Sequence, residues 1–195
     1  MISVSGCAVV RNPTLDHPGM AVVRVAVPGD GEAESVAGFV VTPDGYVVTC
    51  GHVVSEVKEV EVTIGDAKPM RGEVVEKDED SDLALVKVAG KGMAWLPVYD
   101  GDLEVGMHLR AVRGASLVEG RFDHWENFGH DIGLSGNVSA WDCGTPVIAD
   151  DGRVVGVVRG GTDAAGPVAT PVHRVVRLMP QLPGEQKKLE RERKE

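Results

Sequence analysis

Aromatic residues make up only 4% of this 195-residue chain. A core must therefore be built from aliphatic side chains. Valine supplies most of them, in runs such as AVVRVAV (21–27), GFVV (38–41) and RVVGVV (153–158). A surplus of positive charge is also missing: the formal net charge is −10. That argues against a nucleic-acid partner, which would usually leave a basic patch, so none is expected. No stretch approaches the roughly 18 consecutive apolar residues of a spanning helix, so no membrane partner is expected. The opening MISVSGCAVVRNP lacks the basic and apolar regions of a signal peptide. The three cysteines are an odd count for a disulfide framework, and free thiols in a cytoplasmic chain are the expectation. There is no glycine-rich phosphate loop. The acidic run DEDSD (78–82) lacks the glycine and terminal glutamate of a calcium loop. No cofactor or metal is expected, since the histidines show no metal-ligand spacing.

What is present favours strands. β-Branched residues occur in short runs, punctuated by 25 glycines and 11 prolines, which points to an all-β barrel or sandwich. Residues 20–27 read as a strand and 28–35 as a polar loop. Residues 36–48 read as a hairpin around Pro43-Asp44-Gly45. EVEVTIG (59–65) alternates with period two. Residues 71–88 read as strand, acidic turn, strand. Residues 96–105 read as a loop, and MHLRAVRG (107–114) begins another strand. Residues 114–130 read as irregular. Residues 145–158 form a second hairpin around Asp150-Asp151-Gly152, and GPVATPV (166–172) a last strand. The period then changes: Val172, Val175, Val176 and Met179 share one side of a short helix that Pro180 ends. The segment 184–195 is almost wholly charged and reads as a solvated tail or linker.

Three segments carry chemistry: TCGHVV with His52, DSDLALVKV with Asp82, and WDCGTPV with Cys143. A thiol attacks as thiolate, and only a few per cent is ionised at neutral pH without help. An imidazole can take the proton. A carboxylate on its other nitrogen fixes the tautomer and stabilises the imidazolium. Each part also has a plain structural reading. For Cys143 it is a buried thiol and for His52 a core histidine, though the surrounding motifs favour the chemical reading of both. Asp82 competes with Asp78 and Asp80 in the same acidic turn, and the following LALV register favours Asp82. Cys50 reads as packed beneath the site. His124 and His130 read as surface or structural residues, and Trp95 and Trp125 as core or loop anchors.

GFVVTPDGYVVTCGHVV, DSDLALVKV, CGTPVIADDGRVVGVV and VATPVHRVVRLMPQL resemble in order the chymotrypsin-like (trypsin-fold) peptidases, especially their intracellular bacterial branch. The resemblance covers roughly residues 20–182. It implies two packed six-stranded antiparallel β-barrels with a short C-terminal helix. The domain would be 1–183, with barrels at roughly 1–95 and 96–171 and a closing helix at 172–179. It further implies His52 as general base, Asp82 as its orienter and Cys143 as nucleophile. The backbone N–H groups of Trp141 and Cys143 would form the oxyanion hole. Asn137 would lie at the base of the specificity pocket, with Gly161 and Gly166 on its walls. A neutral base and small walls argue against selection of Lys or Arg. Bacterial members carry serine where Cys143 stands, while viral members of the same fold use cysteine. Glycine is the family residue at Trp141, and a bulky side chain adopts glycine's backbone angles only at a cost.

The implied activity is that of a regulated endopeptidase cleaving a specific protein or peptide through a thioester acyl-enzyme. The branch is often joined to other domains in stress or defence proteins, so an activating partner or fused domain is expected. The alternative is an impaired pseudo-protease that binds peptides or serves as an interaction module.

Overall fold

The computed structural model describes residues 13–28, 35–126, 131–136, 143–162 and 166–179. Among them, twelve strands close two antiparallel barrels. The first contains β1 (Val22–Ala26), β2 (Ser35–Val40), β3 (Tyr46–Cys50), β4 (Glu59–Ile64), β5 (Met70–Asp78) and β6 (Leu83–Val88). Its strand order is β1-β2-β3-β6-β5-β4, closed by β4 on β1 with Val62 opposite Val25. The second contains β7 (His108–Arg113), β8 (Ser116–Glu126), β9 (Asp131–Gly136), β10 (Pro146–Ile148), β11 (Val154–Thr162) and β12 (Gly166–Pro171). Its order is β10-β11-β12-β9-β8-β7, closed by β7 on β10. The expected all-β pair of six-stranded barrels is the observed architecture.

Burial explains why some strands alternate and others do not. β4 has one face on the barrel core, and its Val60 and Val62 alternate with exposed Glu59 and Glu61. β6 reads LALVKV without clear alternation because both faces are covered. Ala84, Val86 and Val88 fill the first barrel, while Leu83 and Leu85 turn to the seam between the barrels. Val112, Ile148, Val154 and Val157 meet them there from the second barrel. Phe39, fully buried, sits in the same seam. Each such side chain contributes roughly 1.5–3 kcal/mol by leaving water.

The helix α1 (Val172–Leu178) follows Pro171 directly and caps this seam with Val172, Val175, Leu178 and the following Met179. Its buried face includes Leu178, whereas Val176 is only half-buried.

Residues 116–126 depart from the irregular reading: they form the eleven-residue strand β8. Its inward positions are filled by Gly120 and Phe122, with Val118 partly covered, and its other side chains are mostly polar. A shift of register between Phe122 and His124 interrupts the period further. Few apolar side chains at an interrupted period conceal a strand. β9, DIGLSG, likewise carries no clear strand pattern in the sequence. It is short and has two glycines, and its edges are supplied by β8 and β12. Trp125 is not a core anchor. It is 42% exposed and rests edge-on against Phe122, with ring centroids 5.0 Å apart and planes at 75°.

Candidate functional site

His52 and Asp82 come from the first barrel, and Cys143 enters from the second. His52 starts a short 3-10 turn, His52–Val54, immediately after β3. Asp82 is the last residue before β6, and β6 pairs with β3, so Leu83 lies opposite Cys50. Strand pairing thus delivers the carboxylate to the imidazole. The Gly51 N–H donates to the Asp82 carbonyl at 2.9 Å, which extends the ladder one step into the turn.

Asp82 has φ of +53°, the only such non-glycine value among the described residues. Aspartate tolerates this left-handed conformation better than most residues, at a modest cost. The turn folds its carboxylate back over the start of the His52 segment. The His52 backbone N–H donates to Asp82 Oδ1 at 2.8 Å. His52 Nδ1 lies 3.0 Å from Oδ1 and 2.8 Å from Oδ2. An ionised carboxylate only accepts, so Nδ1 carries the proton and Nε2 keeps the free lone pair. The imidazole is half exposed and the carboxylate 18% exposed, so solvent reaches the ring while the orienting group stays sheltered.

The competing aspartate Asp78 has a different task. It accepts from the Ser81 hydroxyl at 2.5 Å and from the backbone N–H of Asp80 at 3.1 Å. The Ser81 hydroxyl bond is the main reason its carboxyl is held below the usual range. It ties the acidic turn that presents Asp82.

Cys143 precedes β10 and is partly buried. Its carbonyl accepts from the Ala37 N–H of β2 at 3.1 Å, a direct link across the barrels. Gly144 follows with φ of +82°, and a Cβ there would stand 1.9 Å from the Ala37 carbonyl oxygen. Only glycine fits this close approach. Gly144 N–H donates in turn to Val158 at 2.7 Å.

Cys50 ends β3 with no exposed surface. Its Sγ, the Sγ of Cys143 and a ring nitrogen of His52 all lie within 4.8 Å of one another. The hydrogen bond with Cys143 pushes the Cys50 thiol far above the ordinary thiol range. Burial adds to this, as does negative charge at Cys143 and Asp82. Cys50 is therefore held as a protonated S–H, which also reaches the Val158 carbonyl at 3.8 Å. The sequence placed Cys50 beneath the site. Its direct contact with Cys143 had no signature in a spacing of 93 residues.

These observations assemble an imidazole–carboxylate pair from one barrel beside a thiol from the other. A family model described as a trypsin-like peptidase domain matches residues 36–157, from β2 into the first half of β11. The chain belongs to the trypsin-like peptidase family.

Curated relatives of this trypsin-like chain include a probable periplasmic serine endoprotease, DegP-like, of Chlamydia pneumoniae. It is 29% identical over 143 residues, covering 67% of this chain and 29% of that protein. A protein of the same description from Ectopseudomonas mendocina is 37% identical over 83 residues, covering 42% of this chain and 18% of that protein. The chain thus spans less than a third of the length of these relatives. Among solved structures, the serine endoprotease from Yersinia pestis superposes with a TM-score of 0.75 at 16% identity. The match covers 86% of this chain and 64% of that one, and at that identity it establishes the shared fold. These names describe serine enzymes, two of them periplasmic, whereas this trypsin-like domain carries Cys143 beside its His52–Asp82 pair.

The remaining expected site residues fall elsewhere. Asn137 and Trp141 lie outside the described residues, as do Cys7 and His130. Gly161 and Gly166 stand on the paired strands β11 and β12, with Gly161 opposite Pro167 and Gly166 opposite Thr162. His124 is a surface residue between Asp123 and Glu126, which together hold its imidazole above the usual histidine range.

Proposed function

We propose that this domain is a cysteine endopeptidase in which His52, Asp82 and Cys143 act as base, orienter and nucleophile. The observation that carries this reading is the His52–Asp82 pair, with Nδ1 2.8 Å from Oδ2, set within 4.8 Å of the Cys143 sulfur. Nε2 accepts the thiol proton, and the thiolate attacks a peptide carbonyl to form a tetrahedral intermediate. Collapse breaks the C–N bond, and the imidazolium gives its proton to the leaving amine. The resulting thioester is hydrolysed by a water that His52 deprotonates, which regenerates the thiol. Such contacts are often loose before substrate binds and tighten in the complex.

A groove of about 960 Å³ supports a polypeptide substrate. It starts at Cys143 and Thr145 and passes Ser35, Val36 and Ala37. Its lining mixes small residues such as Ser35 and Ala37 with the larger side chains of Met20, Arg24, Arg113 and Leu117, which offers an extended chain both apolar and charged contacts. Two thiols within 4.8 Å of each other and not joined in a disulfide fit a reducing, cytoplasmic setting. Cleavage of a specific protein under the control of a partner or fused domain rests on the family resemblance.

The second reading is a peptide-binding pseudo-protease. Trp141 favours it, because the resembled enzymes use glycine there to free an oxyanion-hole N–H. Losing one such donor costs roughly 10²–10³ in rate.

The test is the rate of iodoacetamide alkylation of Cys143 near pH 6, with Cys7 and Cys50 replaced by serine. An unperturbed thiol at about pH 6 is well under 1% thiolate. Fast labelling that collapses in His52→Ala supports the endopeptidase. Slow labelling, indifferent to His52→Ala, supports the binding module.

A further inference from the structure

The catalytic reading leaves Cys50 unused, although its sulfur lies within 4.8 Å of both a His52 ring nitrogen and the Cys143 sulfur. Among the described residues, these three form the one cluster of His, Cys, Asp or Glu whose ligand atoms lie close enough to share an ion. We propose that Cys50, His52 and Cys143 form a three-ligand site for a thiophilic divalent cation of the zinc class, with the fourth position open to solvent. The claim concerns ion binding and stands whether or not the domain cleaves peptides.

Four features support it. The first is the donor set: two thiolates and one imidazole is a recognised zinc set that leaves a position for water. Tetrahedral metal–ligand bonds of about 2.0–2.3 Å set the ligand atoms roughly 3.5–3.8 Å apart, and separations of at most 4.8 Å reach that with side-chain movements of about 1 Å or less.

The second is the tautomer. A metal-bound histidine usually donates its other ring N–H to a carboxylate, which fixes the ring and raises its basicity. His52 Nδ1 already does so to Asp82 at 2.8 Å, leaving Nε2 for an ion.

The third is charge. An ion that binds both thiolates displaces two protons to solvent, and the centre of one dication and two thiolates is neutral. That removes the obstacle to ionising a fully buried Cys50.

The fourth is access. Cys50 forms the floor with no exposed surface, Cys143 is partly buried and His52 is exposed. An ion therefore enters past His52 and Cys143. The sequence concealed this site because Cys50-x-His52 is too short a motif to mark one, and the third ligand arrives from the other barrel.

The experiment uses the full chain, reduced with a phosphine under anaerobic conditions. Co(II) is titrated first, followed by Zn(II) in competition with a chromophoric chelator. The expected result is one tetrahedral Co(II) per chain, with a sulfur-to-metal charge-transfer band sized for two thiolates, and release of two protons on binding. Cys50→Ala should halve the charge-transfer intensity and weaken binding by more than tenfold. Asp82→Asn should weaken it by roughly 10–100-fold through the outer shell. Zn(II) should also slow alkylation of Cys143.

The proposal is overturned if Cys50→Ala binds Co(II) with unchanged affinity and spectrum. It is equally overturned if the intact chain shows no sulfur charge-transfer band, or if Zn(II) leaves the alkylation of Cys143 unchanged. Circular dichroism of Cys50→Ala confirms that any loss of binding comes from a folded protein. Because the readout is spectroscopic, failure of peptide hydrolysis does not affect it.

Discussion

Thr170, on β12 of the second barrel, donates its hydroxyl to the Ser81 carbonyl of the first barrel at 2.8 Å, and both residues are buried. Ser81 is the residue before Asp82. The bond therefore anchors the turn that presents the carboxylate to His52, and it does so from the opposite barrel.

Replacing Thr170 by valine keeps the shape but strands the Ser81 carbonyl without a donor. The expected cost is about 1–3 kcal/mol of stability, read by urea denaturation. Thr170→Ser should recover most of it. If the anchor positions Asp82, Cys143 alkylation should slow in Thr170→Val and recover in Thr170→Ser under conditions where both proteins are fully folded.

Asp82→Asn tests the orienter without disturbing its backbone, since asparagine also tolerates positive φ. The amide leaves His52 without a carboxylate to hold its N–H. A serine enzyme loses about 10⁴ in kcat from such a change. A thiol nucleophile depends less on the acid, so the expected loss here is smaller, though still more than about tenfold. Peptide hydrolysis measures it, with unfolding curves to show that the fold is kept.

Gly144→Ala should damage stability and site together. The new Cβ meets the Ala37 oxygen at 1.9 Å in a backbone with φ of +82°. Either the turn moves or the Ala37–Cys143 link breaks. A loss of roughly 1–3 kcal/mol or more is expected, with altered alkylation of Cys143. A variant as stable as the parent would show that the turn is not held against β2.

His108 on β7 lies between Asp150, 2.8 Å from Nδ1, and Glu119, 2.5 Å from Nε2. Both raise its pKa, Asp150 most. Its folded value thus exceeds the unfolded one, so its stabilisation is complete below about pH 6.5 and lost as pH rises through the folded value. The Tm difference between the parent and His108→Gln should be largest near pH 5.5 and shrink by about pH 8.5. A difference constant across that range would mean the contact is not ionic.

The legibility of the chain followed the physics of each segment. The turns at Pro43-Asp44-Gly45 and Asp150-Asp151-Gly152 are local chemistry, and both hairpins stand where they were expected. β8 is concealed in the sequence because its inward face carries only Val118, Gly120 and Phe122, and its register shifts midway.

By itself, the sequence determined that valine-rich strands would build an all-β core, and it named His52, Asp82 and Cys143 as possible partners. Local residue preferences and short-range periodicity carry the strands, while the three site residues rest on the chemistry of their segments and on the resemblance of those segments, in order, to the peptidase family. Only the tertiary structure shows Asp82, and not Asp78, in contact with His52, because that contact depends on β3 pairing with β6 in one register. Only it placed Cys50 against Cys143 and bound Ser81 to Thr170. Those neighbours are far apart along the chain and meet across the barrel seam, where close packing and closure of each sheet set the distances.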